Sequence, residues 1–305
     1  MSDPQPDGSA HALTLIAFVG SVFSPYYAWA RQRHGDGGAR PEAHCALNVS
    51  LYRRPPGHSR YQRLWAMTER GDTQLQRSEA HLQIGPSRLA WTDGGALHID
   101  VDEWTAPWPR RLHGHIRVKP QRLPGKAFAL DAAGRHRWQP LAPRARIELD
   151  FDAPGLRWQG DAYLDMNHGA RPLARDFTGW QWSRRALPDH ASRVLYEVQC
   201  ADGSERAVAL DIDAAGRIHA RPLPPPCALP GTAWGLARST RAAQAPELLA
   251  TLESGPFYSR SLLRDAHDGA LSVHESLSLQ RFSQPWVQAL LPFRMPRRPS
   301  WVASS

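Results

Sequence analysis

Short runs in which apolar and polar residues alternate follow one another along most of this chain. They are rich in β-branched and aromatic residues and are bounded by Gly, Pro and Asp. Alternation with a period of two is typical of strands that bury one face. The predicted strands are residues 44–52, 61–70, 89–91, 96–101, 112–119, 144–151, 156–165, 194–200, 207–213, 217–223 and 271–282.

Turn residues separate these strands about every ten residues, a spacing typical of antiparallel sheets. Asp93-Gly94-Gly95, for example, is a strong hairpin signal. Amphipathic helices do not alternate with the strands, and only residues 242–252 and 286–291 predict short helices. The sequence therefore predicts an all-β fold of two packed antiparallel units, each a barrel or a sandwich.

The length of 305 residues is large for one such unit. Residues 183–191 form a polar segment between two strand-rich halves. We expect an N-terminal unit over residues 13–183 and a C-terminal unit over residues 184–295. Residues 1–12 and 296–305 are expected to be flexible tails.

Composition narrows the function classes. Hydrophobic residues make up 42% of the chain and there are 12 Trp, so the chain can bury a core. The net charge is +8, but the basic residues are dispersed and no nucleic-acid motif accompanies them, so nucleic-acid binding is not predicted. Cys45, Cys200 and Cys227 are odd in number and far apart, which fits a reducing cytoplasm better than a disulfide scaffold.

Two segments bear on membrane contact. Residues 13–30 are apolar but contain Gly20, Ser21, Ser24 and Pro25, so they predict a buried strand and turn and not a spanning helix. Residues 284–301 mix aromatic, apolar and arginine side chains, which suits the surface of an anionic membrane. The alternative for this second segment is a tail that packs on the last strand.

Chemically useful side chains concentrate on two predicted strands. His136 and Trp138 share one strand face, and Tyr163, Asp165 and Asn167 share another. If both faces line one cavity, burial among aromatic rings raises the pKa of Asp165 and lets it act as an acid. The rings could also stabilise a carbocation. The alternative is an aromatic core in which Asp165 caps a turn.

Other sequence motifs do not predict a metal site or a common catalytic class. His113 and His115 could grip one metal ion from a strand, but no third ligand is aligned with them, so no metal site is predicted. The chain has no Gly-x-Ser-x-Gly elbow, P-loop, Gly-x-Gly-x-x-Gly or His-Glu-x-x-His sequence. The common hydrolase, NTPase, dinucleotide-binding and zincin classes therefore lose support.

Several stretches resemble the bacterial carotenoid 1,2-hydratases, also called hydroxyneurosporene synthases or acyclic carotenoid hydratases. The resemblance extends over residues 13–295 and is strongest in residues 18–31 (FVGSVFSPYYAWAR), 44–52, 61–71, 136–146 and 160–182. It implies a tandem lipocalin-like β fold and hydration of the terminal 1,2 double bond of neurosporene or lycopene, without a cofactor or metal. The family's functional aspartate matches Asp165, and its supporting positions match His136, Trp138 and Tyr163.

This resemblance suggests a mechanism. Asp165 would protonate the alkene at C2, Trp138 and Tyr163 would stabilise the cation at C1, and water would add to it. His136 would orient Asp165 or take the proton that the water loses. The partners are then an acyclic carotenoid and water, in the cytoplasm or at the periphery of the inner photosynthetic membrane. The alternatives are a non-catalytic lipocalin-like carrier of a hydrophobic ligand and a terpenoid isomerase or cyclase.

Overall fold

Antiparallel β-sheets dominate the computed structural model, which describes residues 1–35 and 37–298. The first sheet has three strands in the order β1-β2-β3. These strands are β1 (Ala10–Val19), β2 (Cys45–Arg54) and β3 (Gln62–Arg70). The middle strand β2 is almost wholly buried, as expected for an apolar run between two neighbours.

The second sheet has eight strands, in the order β11-β10-β8-β7-β6-β5-β4 with β9 paired to β10. They are β4 (Leu75–Arg77), β5 (His81–Ile84), β6 (Ser87–Trp91), β7 (Leu97–Trp104), β8 (Arg111–Pro120), β9 (Phe128–Ala129), β10 (His136–Ala153) and β11 (Leu156–Gly169). Strands β10 and β11 are long neighbours, and the start of β10 lies at the same end of the pair as the end of β11.

The third sheet has seven strands, in the order β15-β14-β13-β12-β20-β19-β18, and β16 and β17 form a separate hairpin. The strands are β12 (Phe177–Ala186), β13 (Ser192–Cys200), β14 (Glu205–Ile212), β15 (Ile218–Ala220), β16 (Pro226–Leu229), β17 (Arg238–Arg241), β18 (Glu247–Ser254), β19 (Tyr258–Arg264) and β20 (Leu271–Ser278). In the described part of the chain none of these strand orders closes on itself. The prediction of an all-β antiparallel fold is confirmed, and the sheets are open, as in a sandwich.

Helices are short. They are α1 (Pro25–His34), α2 (Leu279–Phe282) and α3 (Pro285–Leu290). Short 3-10 turns lie at Pro41–Ala43, Asp72–Gln74, Leu173–Arg175 and Leu291–Phe293. Within residues 1–35 and 37–298, no helix has both the length and the apolar character needed to cross a bilayer.

Two sequence-based predictions of local structure are wrong. The apolar segment 13–30 holds a strand, but a helix follows it, because Ser24 caps α1 by accepting a hydrogen bond from the Tyr27 amide and Pro25 begins the helix. The helix predicted over residues 242–252 is instead largely strand β18, which pairs with β19. Pairing within a sheet here overrides a local helical preference.

Contacts divide the chain into two compact units. Unit 1 comprises Met1–Pro120, Arg146–Ala162 and Gln288–Ser305, and unit 2 comprises Gln121–Ala145 and Tyr163–Val287. In unit 1, residues 296–298 lie beside β3, with the Glu69 amide donating to Pro296 and the Arg298 amide donating to Glu69. The domain boundary expected near residues 183–184 stays a prediction.

Candidate active site

Asp165 lies near the end of β11, where two aromatic side chains donate hydrogen bonds to its carboxyl group. Trp138 Nε1 donates to Oδ2 at 2.8 Å, and the Tyr163 hydroxyl donates to the same oxygen at 3.1 Å. Trp138 comes from β10 and Tyr163 from β11, two residues before Asp165, so period-two alternation places Tyr163 and Asp165 on one face. All three residues belong to unit 2.

Asp165 is an exposed residue, yet many protein atoms lie close to its carboxyl group. Desolvation is the main cause that raises its pKa, from the ordinary 3.8 to about 6, and the negative charge of Glu275 adds to it. The hydrogen bonds from Trp138 and Tyr163 act in the opposite direction, since they stabilise the carboxylate. Desolvation disfavours the charged form of a carboxyl group, even on a residue that keeps contact with solvent. Such a group can hold a proton near neutral pH and can still be reached.

Further aromatic rings pack against the two residues that donate to this carboxyl group. The Trp182 ring lies 5.5 Å from that of Tyr163, and the Tyr196 ring lies 5.6 Å from that of Trp138, nearly perpendicular to it. The Phe128 ring lies 5.7 Å from the Trp138 ring. The faces of such rings carry negative potential, so this environment is favourable to a cation and poorly solvating for an anion.

Tyr163 remains a neutral phenol in this environment. Burial raises its pKa well above the ordinary value, and the neighbouring Asp165 carboxylate raises it further. The guanidinium of Arg184 lies 5.6 Å from the centre of the Tyr163 ring, on the ring face. Tyr163 therefore acts as a hydrogen-bond donor to Asp165, and one face of its ring is already in contact with a cation.

His136 is held by a separate set of hydrogen bonds. Its Nε2 donates to Asp176 Oδ2 at 2.7 Å, and its backbone amide donates to Asp131 Oδ1 at 3.0 Å. Because a carboxylate only accepts, Nε2 carries the hydrogen, and Nδ1 is buried with no hydrogen-bond partner among the described residues. A Cβ atom on Gly169 would lie 2.4 Å from Nδ1, so glycine is needed for the β11 backbone to approach the ring.

Asp176 is the centre of a charged cluster around His136. Arg135 donates to its Oδ1 at 2.7 Å, and Arg171 Nε donates to its Oδ2 at 2.6 Å. The hydrogen bond from Arg171 is the largest of the effects that hold the pKa of Asp176 well below its ordinary value. Asp176 therefore stays ionised and fixes the orientation of the His136 imidazole.

The structure thus joins three of the four predicted site residues directly. Trp138, Tyr163 and Asp165 form one hydrogen-bonded group, whereas the hydrogen bonds of His136 go to Asp131 and Asp176. Asn167, on the same face as Asp165, accepts a hydrogen bond from Tyr196 at 3.3 Å.

Sequence reasoning missed four residues around the site, because only strand pairing and packing bring them near Asp165 or His136. They are Asp176, Trp182, Tyr196 and Glu275. The two tryptophans of residues 177–186 at period two were a usable signal for one of them. The other three carry no local signal.

His113 and His115 do not form a metal centre with a third ligand. Nδ1 of His115 lies 2.7 Å from Asp100, and Nδ1 of His113 lies 3.4 Å from Asp152, both near the surface of unit 1. Among the described residues, no group of three or more His, Cys, Asp or Glu is placed to hold a metal ion.

Comparison with solved structures supports the fold. The crystal structure of an AttH protein from Nitrosomonas europaea superposes with a TM-score of 0.54 at 13% sequence identity, covering 76% of this chain and 80% of that one. At this identity the likeness concerns the fold alone. It agrees with the lipocalin-like β architecture that the family resemblance implied.

Sequence comparison identifies the family. A chain from Thiocapsa roseopersicina, an acyclic carotenoid 1,2-hydratase, is 47% identical over 300 residues, which is 97% of this chain and 71% of that relative. Chains with the same description from Rubrivivax gelatinosus and Rhodobacter capsulatus are 44% and 38% identical, over 97% and 94% of this chain and 72% and 99% of theirs. The profile of the family described as carotenoid hydratase CrtC matches residues 15–304. This chain belongs to the carotenoid hydratase family.

Proposed function

We propose that this protein is an acyclic carotenoid 1,2-hydratase, which adds water across the terminal 1,2 double bond of carotenoids such as neurosporene and lycopene. The family membership and the names of the relatives support the reaction class. The observation that carries the proposal in this chain is Asp165, a reachable carboxyl group among aromatic rings whose pKa is about 6. A non-catalytic carrier has no need for such a group.

Protonation of the alkene is the difficult step, because an isolated trisubstituted double bond is a very weak base. The carboxyl hydrogen of Asp165 passes to C2, the π electrons form the new C–H bond, and a tertiary cation remains at C1. A water molecule then forms the C–O bond at C1 and loses one proton, which gives the 1-hydroxy product. The proton that the water loses returns to the Asp165 carboxylate, directly or through solvent, before the next turnover.

Trp138 and Tyr163 support this step in two ways. Their hydrogen bonds fix the carboxyl group, so its acidic hydrogen is presented in one direction. Their rings, with those of Trp182 and Tyr196, place negative quadrupole potential around the nascent cation. The cost of separating charge in an apolar cavity is thereby reduced.

His136 acts by positioning. It shares a strand face with Trp138, is only 2% exposed, and is fixed by Asp176. Of the two roles expected from the sequence, these contacts favour positioning over accepting a proton from water, because they fix the start of the strand from which Trp138 reaches Asp165. The reaction adds the elements of water without oxidation or reduction, so we propose that it proceeds without a cofactor.

The test is incubation of the purified protein with lycopene or neurosporene in ¹⁸O-labelled water, followed by mass spectrometry. Hydration gives a product that is one labelled water heavier than the substrate. An isomerase or cyclase gives a product of unchanged mass with a different retention time, and a carrier returns the polyene unchanged. Either of the last two results would contradict the proposal.

The pH dependence of hydration should report the protonation of Asp165. The acid form is needed and its pKa is about 6, so kcat/KM should be level below pH 6 and fall about tenfold per pH unit above it. The Tyr163→Phe variant removes a donor that stabilises the carboxylate, and its falling limb should therefore move to higher pH. A rate that instead rises with pH through 6 would show that a base limits the reaction.

We also propose weak peripheral contact with an anionic membrane through the segment around α3, consistent with action at the inner membrane from the cytoplasmic side. Trp286 and Leu290 are 45% and 44% exposed, and Phe293 is 72% exposed. Trp286 stacks on Trp234, which is also 45% exposed. Such apolar anchors suit the headgroup region.

The arginines contribute less to this contact than the sequence suggested. Arg297 is bound to the buried Glu69, and Arg294 lies 5.0 Å from the Trp65 ring. Trp301 lies outside the described residues. Each basic residue adds about 1 kcal/mol at most, so the apolar anchors should dominate.

Replacing Phe293 by serine should therefore reduce co-sedimentation with vesicles that contain anionic lipid, by several-fold at low salt. Leu223→Ser is the matched control, since Leu223 is 44% exposed and lies far from α3 in the sequence. Equal binding by the wild type and the Phe293→Ser variant would contradict membrane contact through the 3-10 turn that follows α3.

A further inference from the structure

Glu275 belongs to a row of five side chains that crosses the third sheet. Register pairs Tyr196 of β13 with Trp182 of β12, Trp182 with Glu275 of β20, Glu275 with Arg260 of β19, and Arg260 with Glu253 of β18. Residues directly opposite one another in antiparallel strands project from the same face. The five residues of this row therefore share one face of the sheet.

This face of the sheet contacts Trp138 and Tyr163, the two residues that donate to Asp165. The first two residues of the row make the ring contacts already described, Tyr196 to Trp138 and Trp182 to Tyr163. Both Trp138 and Tyr163 donate to Asp165. Glu275 is next in the row, about 4.8 Å along the sheet from Trp182 by ordinary strand spacing. Glu275 thus lies beside Trp182, on the face of the sheet that carries the contacts to Trp138 and Tyr163.

The Glu275 carboxylate is held in a defined place. Nε and Nη2 of Arg260 donate to its Oε1 at 2.9 and 2.8 Å. Arg260 also donates to Glu253 Oε2 at 3.1 Å, so two carboxylates share this guanidinium. The side chain of Arg260 is 2% exposed, whereas that of Glu275 is 20% exposed. This group thus contains two carboxyl groups and one guanidinium, a formal excess of one acidic group among its three members.

Other charged and titratable groups lie on the same face or on the strand that meets it. These are Asp165 and Tyr163 from β11, Arg184 from β12, Tyr196 from β13, Glu253 from β18, and Tyr258 and Arg260 from β19. Arg184 lies over the Tyr163 ring and donates to Pro143 and Ser192. The Arg184 guanidinium thus lies next to the Tyr163 ring, whereas Glu275 lies next to Trp182 on the neighbouring strand.

We propose that Glu275 is a positioning residue of this site, whose carboxylate opposes the negative charge that Asp165 acquires on losing its proton and faces the cation formed on the alkene. This inference rests on the proposed hydration and deepens it. Arg260 holds the charge in place without neutralising the whole group. Glu275 also raises the pKa of Asp165, which agrees with this arrangement.

The pairing with Arg260 provides a matched control. Glu275→Gln and Glu253→Gln each remove one carboxylate from the same guanidinium, but only Glu275 adjoins Trp182. If Glu275 only supports the sheet, both variants should lose similar stability and neither should change the titration of Asp165. If Glu275 acts on the acid, only Glu275→Gln should change that titration.

The experiment is a pH titration of ¹³C-labelled aspartate carboxyl groups by NMR, in the unliganded full-length protein. The Asp165 signal is identified by its absence in Asp165→Asn. We expect Glu275→Gln to lower the Asp165 midpoint by about half a pH unit, and Glu253→Gln to change it far less. Above the midpoint, half a unit corresponds to about threefold less acid form and about threefold slower hydration.

An unchanged Asp165 midpoint in Glu275→Gln, or an equal decrease in Glu253→Gln, would overturn the inference. Glu275→Asp keeps the negative charge but moves it away by one methylene group. The Asp165 midpoint in this variant should lie between those in the wild type and in Glu275→Gln. It provides the same comparison if the glutamine variant does not fold. The titration needs no substrate, so it tests the effect of Glu275 on Asp165 independently of hydration. If the wild type forms no alcohol, that result counts against the proposed hydration and not against this effect.

Discussion

Asp165→Asn should abolish detectable hydration while leaving the protein folded and able to bind polyene. Asparagine keeps the size of the side chain and can still accept hydrogen bonds from Trp138 and Tyr163, but it has no carboxyl hydrogen to give to C2. Loss of a general acid lowers rates by about 10²–10⁴-fold, and more when no other acid reaches the substrate. Product formation by chromatography and mass spectrometry measures this effect.

Two further measurements make this result specific. Tyr163→Phe should reduce the rate less than Asp165→Asn does, because the aromatic ring remains and only one of two donors to Asp165 is lost. The melting temperature of Asp165→Asn should equal or exceed that of the wild type at pH 7.5, since a carboxylate that is costly to desolvate has been removed. A near-wild-type rate in Asp165→Asn would place the acid elsewhere.

Asp176→Ala should produce the largest loss of stability among substitutions near the site. It leaves His136 without its carboxylate and deprives Arg135 and Arg171 of a shared partner. We expect the free energy of unfolding to fall by about 2–3 kcal/mol. The effect should be smaller than the roughly 3–5 kcal/mol usual for breaking a buried pair, because the two arginines are 39% and 43% exposed and can be rehydrated. Urea denaturation at pH 7 measures the effect.

The control is Glu247→Gln, which removes an exposed ion pair with Arg264 and should change stability by less than about 1 kcal/mol. The contribution of Asp176 should also depend on pH. Its pKa is lowered in the folded state, so its stabilising effect is present above the ordinary pKa of 3.8 and is lost as the pH falls below that value. Equal stability of Asp176→Ala and the wild type at pH 7 would show that the cluster does not anchor His136.

Local alternation was enough to predict part of the site. His136 and Trp138 lie on one strand and Tyr163 and Asp165 on the next, and a period of two states which side chains share a face. The hydrogen bond between Trp138 and Asp165 follows once β10 and β11 are neighbours. The same reasoning predicted the antiparallel all-β class, because turn signals repeat between short alternating runs.

The remaining parts depend on packing that no local pattern encodes. Glu275 lies near the site because β20 pairs with β12 at a register that places Glu275 directly opposite Trp182. A shift of one residue would turn Glu275 to the opposite face, and that register is set by the buried faces of strands distant in sequence. Asp176 lies after a 3-10 turn outside any strand, so alternation could not assign it a direction.

Trp138 and Tyr163 both donate to the same oxygen of Asp165, Oδ2, and this has a stereochemical consequence. With the lone pairs of Oδ2 engaged by Trp138 and Tyr163, the acidic hydrogen resides on Oδ1. A carboxyl group fixed in this way delivers its hydrogen from one direction, so a polyene end bound in one orientation receives it on one face of the double bond. The proton becomes one of two hydrogens at C2, and deuterium delivered by Asp165 should therefore enter only one of these two positions. The hydrogen bonds that hold the acid would then also select the face of the double bond on which C2 is protonated.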